Sequence, residues 1–370
     1  MSLSDNMTYT LPTWTNETTV LSQKQQLEQI KAYQISISIL IYVLPVIIIM
    51  GTIGNILSFI IWMKRKLRRT STFFYLAMLA ISDTVFLLIS GLKTWIRMWS
   101  YIELLHVSVF SCKVIIFIIN SSLHISAWLI VAVTTERFLA VWFPLRANGM
   151  CSFRRVKIVT ATIVTVFLLL NSHFFWTAEL VSTDNPESPD KLECTSKMIK
   201  ICVYFPWFNM VLFSVIPSVL LLILNLLIIF CLLKHRETLK SAMTKDDQHM
   251  RSIHRRLAVI LLTISFVWIF TTVPNTLTSI TKKSRKDLES LAEAILLRVL
   301  SYILLYINHA INFFLYCLTG RLFRIELKKL FCCKSQKKHR QIIVFKASNN
   351  DSAHPLMEQH KIQIVYKRSQ

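Results

Sequence analysis

The sequence predicts an all-α membrane protein, a seven-transmembrane helix bundle with a short amphipathic cytoplasmic eighth helix. Three observations lead there. Of 370 residues, 54% are hydrophobic and only 17% are charged, and the mean hydropathy is +0.50. Soluble domains carry about 25% charged residues. Seven windows are long and apolar enough to cross a bilayer core, which takes roughly 20 helical residues. The formal net charge of +22 is confined to alternate connections between those windows and to the C-terminal tail. Glycine is scarce, with five residues, and none falls in G-x-G-x-x-G or G-x-x-x-x-G-K-[ST]. Both glycine-dependent phosphate cradles are thereby excluded.

Residues 1–34 form a polar N-terminal tail without an apolar h-region, so no cleaved signal peptide is expected. The tail carries two glycosylation sequons, at Asn6 and Asn16. Span 1 covers 35–63 and is followed by five basic residues and no acid over 64–69. Span 2, 71–92, has Asp83 as its one charge, with Lys93 and Arg97 at its end. Span 3 covers 114–135 and span 4 covers 158–178, where Glu179 ends it; between them, 137–157 carries five basic residues after Glu136. Span 5 (201–233) and span 6 (257–281) flank a segment with seven basic and three acidic residues, and span 7 covers 299–320. Pro45, Pro217 and Pro274 lie inside spans, which membrane helices tolerate because neighbours satisfy the freed backbone groups.

Twelve basic and three acidic residues follow Gly320. These four segments together hold 29 basic and 7 acidic residues, against 13 and 13 elsewhere, so the whole +22 lies on one face. The positive-inside bias makes that face cytoplasmic. Seven spans then put the N-terminus outside.

Cys112, at the outer start of span 3, and Cys194, in the polar loop after span 4, both face the oxidising side. A bridge between them would pin the loop over the bundle mouth; Cys202 is the competing partner. In 321–331, Phe323, Leu327, Leu330 and Phe331 share one helical face, with Arg321, Arg324 and Lys328 off it. That pattern suits an interfacial helix on an anionic leaflet, and Cys332 and Cys333 after it suit palmitoylation. The chain thus divides into a glycosylated tail (1–34), a seven-helix bundle (35–319), an amphipathic helix with its cysteines (320–333) and a cytoplasmic tail (334–370).

Polar groups inside a bilayer are costly and mark functional candidates. Asp83 is the one acid within the apolar core of any span; Asn55, Ser122, Ser126, Asn308 and Asn312 could converge on it. Such a cluster could hold a sodium ion or a proton, and a hydrogen-bonded network without an ion is the other reading. Glu136 and Arg137, side by side at the inner end of span 3, suggest a latch. His124, His173 and His309 read as core histidines without a role. No metal-ligand spacing emerges.

Several motifs in order carry a resemblance: Gly54-Asn55, Leu79-Ala80-Ile81-Ser82-Asp83, Cys112 with Cys194, Glu136-Arg137-Phe138, Pro217, Pro274 and Asn312-Phe313-Phe314-Leu315-Tyr316. On these, residues 35–333 resemble a rhodopsin-like (class A) G-protein-coupled receptor. The stretches 135–145 and 312–320 look like the neuropeptide branch, receptors of the FMRFamide type. The resemblance implies that Arg137 meets the G protein once helix 6 swings out and that Tyr316 is the helix-7 switch tyrosine. It also places Asp83, Ser126, Asn308 and Asn312 at the family's sodium-site positions. The chain departs from the family at Thr272, where a tryptophan is usual, with Trp268 one turn away. Further departures are Asn225 for a helix-5 tyrosine, Phe313 for a proline, His254 for a latching acid, and a span 4 without its midpoint tryptophan.

Ile119 stands where amine receptors carry an acid, and Tyr306 where opsins carry a lysine, so neither ligand class is expected. Charges of both signs, Lys93, Arg97, Glu179, Lys282, Lys283 and Arg298, ring the mouth, above Asn120, Asn209, Asn275 and Tyr302. The expected function is a plasma-membrane receptor for an extracellular peptide that activates heterotrimeric G proteins. Arrestin, a receptor kinase and membrane lipids are further expected partners; nucleic acid is not. A receptor for a small chemosensory or lipid ligand is the alternative, and a seven-helix transporter the rival of another class. No catalytic set is present, and no cofactor beyond a sodium ion is expected.

Overall fold

The computed structural model describes residues 25–64, 67, 70–143, 152–182, 192–196, 205, 207–238, 245–280 and 287–331, with the backbone alone at 182, 192, 196, 234–238, 245–258 and 279–280. Asn6, Asn16, Cys202, Lys282, Lys283, Cys332, Cys333 and the side chain of His254 lie outside the described residues. Among the described residues, seven helices are long and apolar enough to span a membrane: α1 Lys31–Trp62, α2 Ser71–Ser100, α3 Val109–Trp142, α4 Phe153–Thr177, α5 Trp207–Leu233, α6 Lys245–Ile280 with its apolar stretch Val259–Thr278, and α7 Leu288–Ala310. Past a one-residue break at Ile311, Asn312–Thr319 carries α7 onward, and α8, Arg321–Phe331, follows.

The helix starts are written in local chemistry. Ser108 and Ser111 form a reciprocal capping box at α3, each hydroxyl accepting the other's backbone N–H at 3.0 Å. Asp287 caps α7 by accepting the N–H of Ser290 at 2.8 Å. Arg324 donates to the carbonyls of Cys317 and Leu318, both at 2.8 Å, satisfying acceptors that the end of α7 leaves open.

Burial separates the centre of the bundle from its rim. In α2 and α3, 61% of the apolar window is buried, against 22% in α4. The outward faces carry large apolar side chains such as Tyr42, Leu169 and Phe270, as a surface meeting hydrocarbon requires. Glycine is spent where helices touch. A Cβ on Gly51 would lie 2.5 Å from the Cβ and 2.9 Å from the Cα of Ala310, and one on Gly54 would lie 2.8 Å from the Cβ of Phe313. Bare backbone at these two positions lets α1 lie directly against α7, as small residues do at membrane helix interfaces.

Three differences from the sequence reading concern where helices end. First, α2 runs on to Ser100, so Lys93 is a buried residue inside the helix while Arg97 falls in its last turn. Apolar windows stop where charge begins, but a helix continues while its backbone bonds are satisfied. Second, a π-helical turn, Leu87–Gly91, interrupts α2 just past Asp83; such bulges recur at functional sites. Third, Glu179 does not end a helix. It stands on β1, Ala178–Ser182, which pairs antiparallel with β2, Leu192–Ser196, placing Glu179 opposite Thr195 and Leu180 opposite Cys194.

A disulfide joins Cys112 to Cys194 with Cα atoms 5.7 Å apart, fastening β2 to the start of α3. Leu105, Ile116, Phe174 and Ala178 pack around it as a small core of their own. At the opposite end, α8 docks through Phe323, which is fully buried against Trp62 and Tyr316. Lys64 adds an ion pair to Glu326 at 3.1 Å.

Candidate functional site: a mouth cleft, a mid-bundle cluster and a closed inner end

The functional candidates fall at three depths. At the hairpin end, a cleft between α1, α2 and α7 is lined by Tyr33, Leu40, Arg97, Met98, Ile295 and Arg298, among others. Arg298 is only 4% exposed, and its Nε and Nη2 have no hydrogen-bond partner among the described residues. Its guanidinium lies 5.8 Å from the ring centre of Tyr302. Arg97, across the cleft, is paired with Glu103 at 3.2 Å. A buried cation without a counter-ion is costly, so Arg298 is the group here most in need of an anion.

The other predicted mouth residues among those described do not line this cleft. Asn120 on α3 spends an amide N–H on the carbonyl of Ile116 at 2.9 Å. Asn209 and Asn275 sit half-buried on α5 and α6, outside the cleft's lining. Tyr306 is within 3.0 Å of the hydroxyls of Ser90 and Thr94, a polar tie between α7 and α2.

Midway, Asp83 is fully buried. Its Oδ1 accepts from Ser126 Oγ and His309 Nδ1, each at 2.7 Å, and its Oδ2 accepts from Asn312 Nδ2 at 2.7 Å. The structure therefore brings Ser126 and Asn312 to the aspartate and turns the other predicted members away. Ser122 donates to the carbonyl of Ile119 at 2.9 Å, and Asn55 donates to the carbonyl of His309 at 2.9 Å. Asn308 is buried beside His309 but is not among the partners of Asp83. His309, read from sequence as an inert core histidine, is a central member. Its spacing held the signal: His309 and Asn312 are three apart, one face of a helix.

The family resemblance implies a sodium ion at this cluster, and the residues do not fit one. Hard cations take oxygen ligands. Two of the three donors around Asp83 are nitrogens whose N–H groups point at the carboxylate, and the third, Ser126, already donates its hydroxyl proton to it.

At the inner end, Arg137 pairs with the carboxylate of Glu136, and both are buried. The same carboxylate oxygen, Oε1, accepts from Ser71 at 2.5 Å and from Thr72 at 3.3 Å. Two hydroxyls at the start of α2 thus hold the Glu136–Arg137 pair closed, a role the sequence reading did not assign them. Thr134 and Ser265 meet at 3.4 Å between α3 and α6. Tyr316 is buried in an aromatic cage with Trp62 at 5.4 Å and Phe323 at 5.5 Å. Trp268, one turn from the missing helix-6 tryptophan, is fully buried and edges onto Phe213 at 6.1 Å.

The chain is 27% identical over 293 residues to growth hormone secretagogue receptor type 1 of Rattus norvegicus, covering 76% of this chain and 78% of that one. It is 27% identical over 290 residues to the FMRFamide receptor of Drosophila melanogaster, covering 75% of this chain and 50% of the receptor. It is 25% identical over 322 residues to the thyrotropin-releasing hormone receptor of Gallus gallus, covering 77% and 76%. The model of the family "7 transmembrane receptor (rhodopsin family)" matches residues 54–316, a stretch that includes the disulfide, the Asp83 cluster and the Glu136–Arg137 pair. The chain therefore belongs to the rhodopsin family of seven-transmembrane receptors.

Proposed function

We propose that this receptor sits in the plasma membrane with its N-terminus outside, binds an extracellular peptide, and activates heterotrimeric G proteins. The observation that carries the peptide reading is Arg298, a buried guanidinium in the cleft at the mouth, two of whose nitrogens have no partner among the described residues. A carboxylate on the ligand would satisfy it. The receptors most like this chain by sequence include ones named for FMRFamide and for thyrotropin-releasing hormone, which supports a peptide. The one-sided charge supports the orientation.

In this reading Lys93 and Arg97 add positive field near the carboxylate, and Glu179 on β1 receives a cationic group of the same peptide. Asn120, Asn209, Asn275 and Tyr302 belong to the deeper contact surface. Ligand binding shifts a population between two arrangements, and only a ligand with differential affinity for them can do so. In the resting arrangement Glu136, held by Ser71 and Thr72, masks Arg137. In the active one α6 leaves α3, Tyr316 leaves its cage, and Arg137 becomes available to the G protein. Glycans at Asn6 and Asn16, palmitate at Cys332 and Cys333, and recognition of the tail by arrestin and a receptor kinase complete the proposal.

The test is a peptide library screened on cells, each peptide in free-acid and amidated form, on wild type and Arg298→Gln with surface expression matched. Losing one charge-assisted hydrogen bond costs about 1.5–3 kcal/mol, so agonist potency should fall roughly 10- to 150-fold in the variant. Unchanged potency would remove Arg298 from the binding site. Activation by fatty acids alone, with no peptide active, would overturn the peptide reading in favour of a lipid ligand.

A further inference from the structure

We propose that His309 takes the place of a bound cation in the middle of the bundle, so that this receptor's Asp83 cluster is closed by its own side chains and does not respond to sodium. The inference concerns the resting protein and holds whichever ligand the mouth takes.

The geometry argues it group by group. Both oxygens of Asp83 are engaged, Oδ1 by Ser126 and by the imidazole N–H of His309, Oδ2 by the amide of Asn312, all at 2.7 Å. An N–H pointed at a carboxylate oxygen presents its positive end there, and a cation between the two would meet a hydrogen instead of a lone pair. The imidazole itself cannot swing aside freely. Its ring lies 4.2 Å from that of Phe86, it is fully buried, and Asn55 holds the backbone carbonyl of the same residue at 2.9 Å.

Among the predicted members, two do not turn an oxygen to the carboxylate, and the unpartnered amide oxygen of Asn55 belongs to a side chain whose nitrogen is tied to the carbonyl of His309. The hydroxyl of Ser122 is turned to Ile119. Asn312 presents its nitrogen to the carboxylate.

The consequence is mechanical. A sodium ion would bind one arrangement of the helices better than the other and so couple salt concentration to signalling. Here the bridge from α7 to α2 is made by His309 and Asn312, and Ser126 extends it to α3. These ties persist whatever cation the solvent holds. Coupling between sodium and the activation equilibrium is therefore absent by construction of the site.

The experiment uses the purified full chain in detergent, melted in sodium chloride and in choline chloride at about 0.15 M ionic strength. Wild type should melt at one temperature in both salts. His309→Ser replaces the imidazole by a smaller oxygen donor and opens space beside Asp83. Its melting temperature should be lower in choline and recover by at least about 2 °C in sodium. Adding Asp83→Asn to it should abolish that recovery. If wild type itself is stabilised by sodium over choline, the site takes the ion and the proposal fails. If His309→Ser shows no sodium dependence, the imidazole is not what excludes the cation, and the proposal fails equally. Should that variant not fold, His309→Asn takes its place with the same two outcomes.

Discussion

Asn225 on α5 is fully buried, and neither its amide oxygen nor its amide nitrogen has a partner among the described residues. An unsatisfied buried amide costs about 1–3 kcal/mol. A leucine has similar size and no polar atom, so Asn225→Leu should raise the melting temperature of the solubilised receptor by a few degrees. A lower melting temperature would show that the amide is satisfied in the resting protein. At this scale the sequence was most readable where a residue is chemically out of place. Asp83 in a lipid-length apolar run, paired charges at Glu136 and Arg137, and two cysteines on the oxidising side each identified themselves. His309 did not, because a lone histidine in an apolar helix has the same signature whether it packs or bonds. Only the position of Asp83 across the bundle distinguishes the two, and that is a tertiary fact. Ser71 and Thr72 were hidden for the same reason: their role exists only because α3 delivers Glu136 to them.

At the scale of elements, α8 gives a pH prediction. The Glu326 carboxyl is held below the usual carboxylate range, first by the hydrogen bond from Lys329 and then by Lys64. A carboxyl depressed on folding stabilises the docked helix above its unfolded value, about 4.3, and the contribution is lost as pH falls through the lower folded value. A nitroxide on Phe331→Cys should therefore stay immobilised at neutral and mildly acidic pH and gain mobility only below about pH 4. Mobility gained near pH 6 would mean that another group holds α8 in place. The seven helices were legible because a bilayer imposes a length that few other structures mimic. Their ends were less so. Charged turns such as the one bearing Lys93 and Arg97 extend α2 beyond its apolar window. The β1–β2 hairpin left even less trace, since Ala178, Glu179 and Leu180 follow an apolar helix directly and the strands are five residues each.

For the whole molecule, the net charge of +22 would suggest a nucleic-acid partner in a soluble chain. Here it lies in alternate connections between the spans and in the C-terminal tail, and in the proposed reading it orients the protein and offers a surface for anionic lipid and a G protein. The bundle has polar sites at both ends and a hydrogen-bonded spine between them, formed by Tyr306 with Ser90 and Thr94, then the Asp83 cluster, then the Glu136 latch. These ties run through α2, α3 and α7, the most deeply buried helices. In the proposed mechanism α6 moves relative to that spine. The most direct test of the receptor reading is peptide-stimulated nucleotide exchange on purified heterotrimeric G protein, comparing wild type with Arg137→Ala. The account predicts exchange with wild type, and peptide binding without exchange in the variant. Exchange by Arg137→Ala at the wild-type rate, or no exchange with any peptide while a lipid or small molecule elicits it, would contradict it.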